Sequence, residues 1–388
     1  MRTEILARSE AKLRPFLARL PPALAVRIYS RGRRRFLAWF ARRAPAEAFR
    51  PEGLERTLWG IRFRSPLFNA AGMFKNGDGY EVVARQGAGA YLAGTTTHRR
   101  RPGNRRHGVR LPFAPYPRSH AAANWLGLPN LGHRAVAARL RELPRRDGCP
   151  VGVSVASEPE PAIAEEAKLE QLVAGMRLYE ESGVDFLELN ESCPNTAEGV
   201  CGLDQLRRRL AYVRDAFLTR RQRTLPVIVK FSCDTEPAQL PTVLAMLVEL
   251  GFDGVNFGNT STAYAEHRLS IAPAETALYD YFTRAFGGGL SGRPLKQASL
   301  RLAAGAAEHL RRQPPGREFH VVRTGGIETA QDLGRSAAAG VALNQWYTGY
   351  FEAFARDGHR LYRRLYREIL PPTRFPPARS QGSRPGLT

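Results

Sequence analysis

The chain has 388 residues, of which 43% are hydrophobic, so it can bury the core of one large α/β barrel or of two ordinary domains, and wholesale disorder is excluded. Its formal net charge of +22 favours anionic partners: a membrane surface, a nucleic acid or an anionic substrate. The four cysteines show neither Cys-x-x-Cys nor zinc-finger spacing, so we predict no metal site and a reducing cytoplasm. We find neither a signal peptide nor an apolar run long enough to span a membrane.

Residues 1–55 are predicted to form a basic helical extension. The stretch LPPALAVRIYSRGRRRFLAWFARR mixes arginines with Leu, Phe, Tyr and Trp, which indicates one or two amphipathic helices broken near Pro21, Pro22 and Gly32. Such helices either lie on a membrane, with arginines at anionic headgroups, or pack on the protein body with a solvated basic face. The sequence leaves both interpretations open.

Residues 56–370 alternate short apolar runs with segments of helical period. Strands are predicted at 67–73, 89–97, 150–157, 186–193, 226–233, 254–260, 319–327 and 342–348, and helices at 161–182, 235–250, 295–312, 328–339 and 352–368. Eight strand-and-helix units predict a (β/α)8 TIM barrel, with longer insertions near 98–132 and 261–293. The Pro-, Ser- and Gly-rich segment 371–388 is predicted to be a disordered tail.

Polar residues and glycines stand at the C-terminal ends of the predicted strands. They are Gly72, Lys75, Thr95, Ser154, Asn190, Cys193, Lys230, Asn259, Thr260, Gly325, Gly326, Tyr347 and Thr348. A barrel brings these ends together at one mouth, where barrel enzymes place their active sites. We therefore predict a single site at the mouth.

Two motifs predict a phosphate-bearing cofactor there. The segments RTGGI, from Arg323, and YTG, from Tyr347, follow the seventh and eighth strands, where barrels commonly bind phosphate.

Lys230 is one of only five lysines among 58 cationic residues, and it ends the fifth strand. A buried ammonium needs an anion, which a reduced isoalloxazine ring would supply; a structural ion pair is the alternative.

Amide side chains and one thiol predict the ligand and its chemistry. Asn124, Asn190, Asn195 and Asn259 each offer a donor beside an acceptor, which suits a pyrimidine-like ring, although Asn124 and Asn195 could simply form turns. Cys193 lies between two of these amides and is a candidate proton acceptor. The other three cysteines are predicted to be structural.

In order and spacing, these motifs resemble the dihydroorotate dehydrogenases, FMN-dependent (β/α)8 barrels of pyrimidine synthesis, over about residues 58–368. The similar segments are NAAGMFKNGDG from Asn69, GTTTHRRRPGN from Gly94, NWLGLPNLG from Asn124, LNESCPNT from Leu189, VIVKFS from Val227, GNTS from Gly258, GGLSGRPL from Gly288, TGGI from Thr324 and YTG from Tyr347. The resemblance implies oxidation of dihydroorotate to orotate, with Cys193 as the catalytic base.

The resemblance also implies two sets of binding residues. The substrate would be held by Lys75, Asn124, Trp125, Leu126, Gly127, Leu128, Asn190, Asn195, Asn259 and Thr260. The flavin would be held by Ala71, Gly72, Lys75, Thr95, Ser154, Asn190, Lys230, Gly258, Gly292, Gly326, Tyr347 and Thr348. Ser154 and Gly258 depart from the family pattern, which has asparagine and threonine there.

The electron acceptor is less clearly marked, because features of two classes are mixed. KNGDG, GTTT, GGLSGRP and the basic extension resemble the quinone-linked class, whereas ELNESCPN and GLPNLG resemble the soluble class, whose base is cysteine rather than serine. We favour a quinone over fumarate, because the extension stands where the first class builds its quinone tunnel.

The resemblance implies peripheral contact of residues 1–50 with the inner face of the cell membrane, and no nucleic-acid partner. Two alternatives stay open: a barrel like the tRNA-dihydrouridine synthases, which the charge of +22 would suit, and a non-catalytic FMN-binding relative.

Overall fold

The computed structural model describes residues 3–191 and 202–370. The strands are β1 Arg56–Leu58, β2 Ile61–Phe63, β3 Leu67–Asn69, β4 Tyr91–Thr96, β5 Arg105–Arg106, β6 Val109–Arg110, β7 Phe113–Tyr116, β8 Ala121–Asn124, β9 Val151–Val155, β10 Phe186–Asn190, β11 Val227–Phe231, β12 Gly254–Phe257, β13 Gly289–Gly292, β14 His320–Thr324 and β15 Leu343–Trp346. The helices are α1 Thr3–Leu17, α2 Pro22–Phe40, α3 Tyr80–Gln86, α4 His133–Arg141, α5 Glu165–Glu181, α6 Leu203–Ala216, α7 Leu240–Glu249, α8 Tyr264–Arg268, α9 Thr276–Ala285, α10 Lys296–Arg312, α11 Ala330–Ala338, α12 Thr348–Asp357 and α13 Leu361–Arg367.

Eight parallel strands form the barrel. Their order is β3-β15-β14-β12-β11-β10-β9-β4. The two edge strands meet where the Gly89 amide donates to the Leu67 carbonyl at 2.9 Å and where Phe74 pairs with Ala93. The predicted (β/α)8 barrel is thereby confirmed, and each of the eight predicted strands is a barrel strand.

The barrel strands form because short runs of buried apolar residues can be covered on both faces. All five residues of β11 are buried, and so are all five of β10. Near-continuous apolar runs are typical of parallel strands that have helices on one side and a barrel interior on the other. The predicted helix 352–368 is instead two helices, α12 and α13, because the chain adopts φ +60° at Gly358.

The N-terminal extension forms two helices that pack on the body. The chain breaks before α2 at Pro21 and Pro22, as predicted, but Gly32 lies inside α2, so the predicted break there is wrong. Phe40 is fully buried, with its ring centroid 4.7 Å from that of Phe354 on α12. No helix in the described part of the chain is long and apolar enough to cross a membrane.

The two predicted insertions meet over the barrel mouth. They supply the antiparallel sheet β13-β8-β7, together with α8 and α9. The ring centroids of Tyr116 and Tyr279 lie 5.6 Å apart in a second apolar core, which Val26 of α2 joins. We call this layer the lid sheet. The segment 192–201 and the predicted tail 371–388 lie outside the described residues.

Candidate active site

A cleft with a volume of about 120 Å³ opens at the C-terminal ends of the barrel strands, beneath the lid sheet. The predicted site residues that line it are Ala71, Gly72, Lys75, Thr95, Asn124, Leu126, Leu128, Asn190, Lys230, Asn259, Thr260, Gly292, Gly326, Tyr347 and Thr348. They come from seven barrel strands or the loops after them and from two strands of the lid sheet. The fold therefore brings together residues that lie more than 270 positions apart in sequence.

A row of polar side chains crosses one wall of the cleft. The Asn259 amide donates to Asn190 Oδ1 at 3.2 Å, and the Asn190 amide donates to Thr95 Oγ1 at 3.1 Å. Ser154, fully buried below the wall, supports Thr95 through a 3.0 Å contact between their hydroxyl oxygens. Ser154 thus holds a wall residue in place without lining the cleft itself.

One buried hydroxyl on this wall lacks a partner. Thr260 Oγ1 is buried and has no hydrogen-bond partner among the described residues. Buried polar groups in native proteins are nearly always paired, so an orphaned hydroxyl in a cleft indicates a bound ligand. Thr260 therefore favours a polar ligand at the position predicted for the substrate.

Lys230 reaches the floor of the cleft from β11 and is 3% exposed. Its ammonium lies 3.4 Å from Glu188 Oε1 and donates to Gln345 Oε1 at 2.9 Å. Lys230 therefore forms the structural ion pair that was its alternative interpretation, and it also lines the cleft in which the flavin is predicted. A cation fixed in this way can stabilise negative charge that develops on a ligand.

Glycines line the end of the cleft where a phosphate is predicted. Gly292 has φ +102° and Gly326 has φ +69°, both in the region that favours glycine. A Cβ at Gly326 would lie 2.5 Å from Lys296 Cα, and one at Gly292 would lie 2.2 Å from the His120 carbonyl oxygen. Close packing against the protein backbone therefore requires glycine at both positions, and α10 and α12 begin beside them, where first-turn amides can donate to a bound phosphate. The phosphate of FMN fits this cradle.

Besides Ser154, three predicted residues of the described chain do not line the cleft. Trp125 packs under the guanidinium of Arg106, 4.5 Å from its ring centroid, and Gly127 lies against the side chain of Asn104. At Gly258, which has φ +117°, a Cβ would lie 1.5 Å from the Thr324 carbonyl oxygen. The departure from threonine at Gly258 is therefore required by the close approach of the backbone of β14.

The sequence missed cleft residues that tertiary packing supplies. Arg33, from α2, donates to the Tyr347 hydroxyl and lies 5.2 Å from the ring centroid of Phe113. Nothing local distinguishes Arg33 from its neighbours in RGRRR. Thr324 and Trp346 also line the cleft, and their position at the ends of predicted strands was a usable signal.

Two cysteines lie in the described part of the chain, and both are buried. Burial raises the pKa of the Cys149 thiol to about 11 and that of the Cys233 thiol to about 12. Thiols this weakly acidic are poor proton acceptors near neutrality. Cys193 and Asn195, the predicted base and one predicted amide, lie outside the described residues.

Comparison with known proteins agrees with this geometry. Residues 53–369 match the family model described as dihydroorotate dehydrogenase. The chain is 35% identical over 339 residues to a dihydroorotate dehydrogenase (quinone) of Salinispora arenicola, covering 86% of this chain and 85% of that protein. It is 33% identical over 327 residues to the protein of the same name from Clavibacter michiganensis, covering 80% and 83%.

A solved structure shares the fold. It is a crystal structure of DHODH from Eimeria tenella in complex with ferulenol, with a TM-score of 0.68 at 23% identity, covering 87% of this chain and 90% of that one. A barrel of eight parallel strands, a cleft at their C-terminal ends and a family match over most of the length agree with one another. The chain belongs to the dihydroorotate dehydrogenase family.

Proposed function

We propose that this chain oxidises dihydroorotate to orotate, with FMN as its cofactor and a quinone as the electron acceptor. Relatives at 33 to 35% identity over most of the chain carry the name dihydroorotate dehydrogenase (quinone), and the family is FMN-dependent. The observation that carries the proposal is the cleft, which joins a wall of amides, a buried ammonium and a glycine cradle. The two alternative functions have no support from the family match.

Different residues of the cleft have different roles in the proposed reaction. FMN, when bound, supplies a ring that accepts hydride from C6 of the substrate. The amides of Asn190 and Asn259 can pair with the C=O and N–H groups of a pyrimidine ring, and Thr260 offers its unpaired hydroxyl. Lys75 provides a cation for the substrate carboxylate. Lys230 would stabilise negative charge on the ring of a bound flavin.

Cys193 is proposed to take the proton from C5 of the substrate. This rests on the sequence motif ESCPN, because the residue lies outside the described part of the chain. A thiol near its reference pKa of about 8.5 needs only a modest downward shift to act as a base at neutral pH. The two described thiols, Cys149 and Cys233, are too buried to compete for this role.

Anaerobic reduction of the bound flavin tests the proposal. Dihydroorotate added under argon should bleach the visible flavin band of the wild-type protein. Cys193→Ala should bind FMN but bleach at least about 100-fold more slowly at neutral pH, since general-base catalysis contributes 10²- to 10⁴-fold. Cys233→Ala is the matched control and should bleach normally. A wild-type protein that stays oxidised would refute the activity, and rapid bleaching of Cys193→Ala would remove that residue from the base role.

We further propose that α1 and α2 contact the inner face of the cell membrane. Five large apolar side chains on these helices are exposed: Ile5, Leu13, Phe16, Leu24 and Ile28. Arg27, Arg31, Arg34 and Arg35 line a basic groove beside them on α2. Apolar side chains for the acyl boundary and arginines for anionic headgroups are the two signals that peripheral membrane helices combine.

Vesicle flotation tests the membrane proposal. The double variant Leu13→Ser/Phe16→Ser should lose most binding to vesicles that contain anionic lipid, because two apolar anchors are removed. The control Leu269→Ser changes a side chain that is 92% exposed at the end of α8, outside α1 and α2, and should bind normally. Equal binding of both variants would exclude α1 as the anchor.

A groove between α2 and the barrel is the proposed quinone route. It is lined by Leu37 and Ala38 of α2 and by Met73 and Leu131 of the body, and it shares Lys75 with the cleft. Seven arginines also line the groove, so its surface is both apolar and cationic. Because the groove opens onto the cofactor cleft, it suits a ligand whose redox-active head must approach the flavin. We call it the α2 groove.

A further inference from the structure

Arg323 on β14 carries a fully buried guanidinium group, with 0% exposure. It points away from the barrel interior toward the helical layer, whereas its neighbour Thr324 lines the cleft. Arg323 Nε donates to Ser299 Oγ at 3.0 Å and Nη1 donates to Ser336 Oγ at 2.9 Å. Nη2 donates to the Lys296 carbonyl at 2.9 Å. All three acceptors are neutral.

The charge of Arg323 therefore lacks a contacting anion among the described residues. The acidic side chain that attracts it, Asp332, is instead paired at 3.0 Å with the ammonium of Lys296. Burial lowers the pKa of Arg323 to about 10, because the charged form is desolvated. Buried charges are normally paired, since an unpaired one costs several kcal/mol. An anion that arrives from outside the chain would complete this environment.

The hydrogen bonds of Arg323 lead to the glycine cradle. Ser299 accepts from Arg323 and donates to the Gly325 carbonyl at 2.8 Å. That carbonyl shares its peptide group with the amide of Gly326, which lines the cleft. Chains of hydrogen bonds polarise one another, so a cation at one end makes the amide at the other end a stronger donor. The Lys296 carbonyl extends the same effect into the first turn of α10.

We propose that Arg323 is the buried counter-charge for the phosphate of FMN. It is a positioning residue, because it acts through Ser299 and the Gly325–Gly326 peptide and through its field rather than by touching the phosphate. The three acceptors around Arg323 are neutral, so a neutral donor could satisfy them equally well. The fold itself therefore does not require a positive charge at this position. Selection of a phosphorylated flavin over an unphosphorylated one is the expected consequence.

The affinities of the apoprotein for FMN and for riboflavin separate this role from general support of the fold. The two flavins share the ring and the ribityl chain and differ only in the phosphate. Arg323→Met should lower the preference for FMN over riboflavin by about tenfold or more, corresponding to about 1.4 kcal/mol, with riboflavin affinity unchanged. Arg323→Lys keeps the charge and should retain most of the preference.

Two further variants keep the test decisive. Ser299→Ala leaves the charge but cuts the connection to Gly325, so the preference should fall less, by about threefold. Arg64→Met is the matched control, because Arg64 is 6% exposed and donates to the Ala84 and Ala88 carbonyls near the opposite end of the barrel. It should leave the preference unchanged. If Arg323→Met does not fold, the Ser299→Ala and Arg323→Lys results decide. Equal loss of both flavins, or an unchanged preference, would overturn the proposal.

Discussion

The polar interior beneath Lys230 is unusual for a barrel, whose centre is normally packed with branched apolar side chains. Glu188 Oε2 accepts from the amides of Asn256 at 2.9 Å and Gln345 at 2.6 Å, while its other oxygen faces Lys230. Thr324 Oγ1 lies 3.0 Å from Asn256 Oδ1 and 2.9 Å from Gln345 Oε1, so its one hydroxyl proton can be donated to either oxygen. Five neighbouring strands each contribute one member, so the network is fully connected. Such a network holds a charge in place only while every member is present.

Removal of Glu188 alone should therefore be costly. Glu188→Leu leaves Lys230 buried without its anion, and we expect the free energy of unfolding to fall by about 3 to 5 kcal/mol. The double variant Glu188→Leu/Lys230→Met removes both charges and should recover most of this loss, since an apolar replacement of a buried pair is often neutral. Urea titration of the apoproteins measures both values. A double variant as unstable as the single one would show that the charge pair is not the cause.

At the scale of elements, the strands were predictable because their signal is local. Each barrel strand is a short apolar run followed by a polar or glycine residue, and this pattern survives in a single sequence. The same pattern placed Asn190, Lys230 and Gly326 at the mouth, where the structure has them. Even the contact between the Ser154 and Thr95 hydroxyls could be expected, because these residues lie at the ends of two neighbouring barrel strands.

Long-range packing was not predictable in this way. The lid sheet pairs β8 with β13 across more than 160 positions, and no local period specifies such a partner. Arg33 enters the cleft only because α2 packs against the lid sheet and α9. The predicted break at Gly32 is wrong because one glycine destabilises a helix by only about 1 kcal/mol, and the burial of Val26 and Phe40 on the same helix outweighs this cost.

The α2 groove gives a prediction at this scale. Ala38 lines the groove and is exposed, so Ala38→Trp should narrow the route without disturbing the core. Turnover with a long-chain quinone should fall at least about tenfold through a higher KM, while flavin bleaching by dihydroorotate keeps its rate. Ala23→Trp, at an exposed position on α2 outside the groove, is the control. Unchanged quinone kinetics in Ala38→Trp would place the route elsewhere.

At the scale of the whole molecule, one buried histidine should make the stability of the fold depend on pH in the acid range. His133, at the start of α4, is 1% exposed, and its Nδ1 lies 3.1 Å from Thr96 Oγ1. Burial, together with the nearby imidazole of His98, lowers the pKa of His133 to about 3. The folded protein therefore resists protonation at this site, whereas the unfolded chain takes up a proton near pH 6.5.

The sign of the effect follows from proton binding. Between pH 6.5 and about 3 the unfolded state binds more protons at this position, so the free energy of unfolding must fall as the pH falls. We expect His133 to contribute a loss of about 2 to 3 kcal/mol by pH 4. Urea titrations of His133→Gln should show a shallower loss over this range than the wild type, whereas His309→Gln, on the outer helix α10, should follow the wild-type curve. Parallel curves for His133→Gln and the wild type would mean that another group governs the acid sensitivity of the fold.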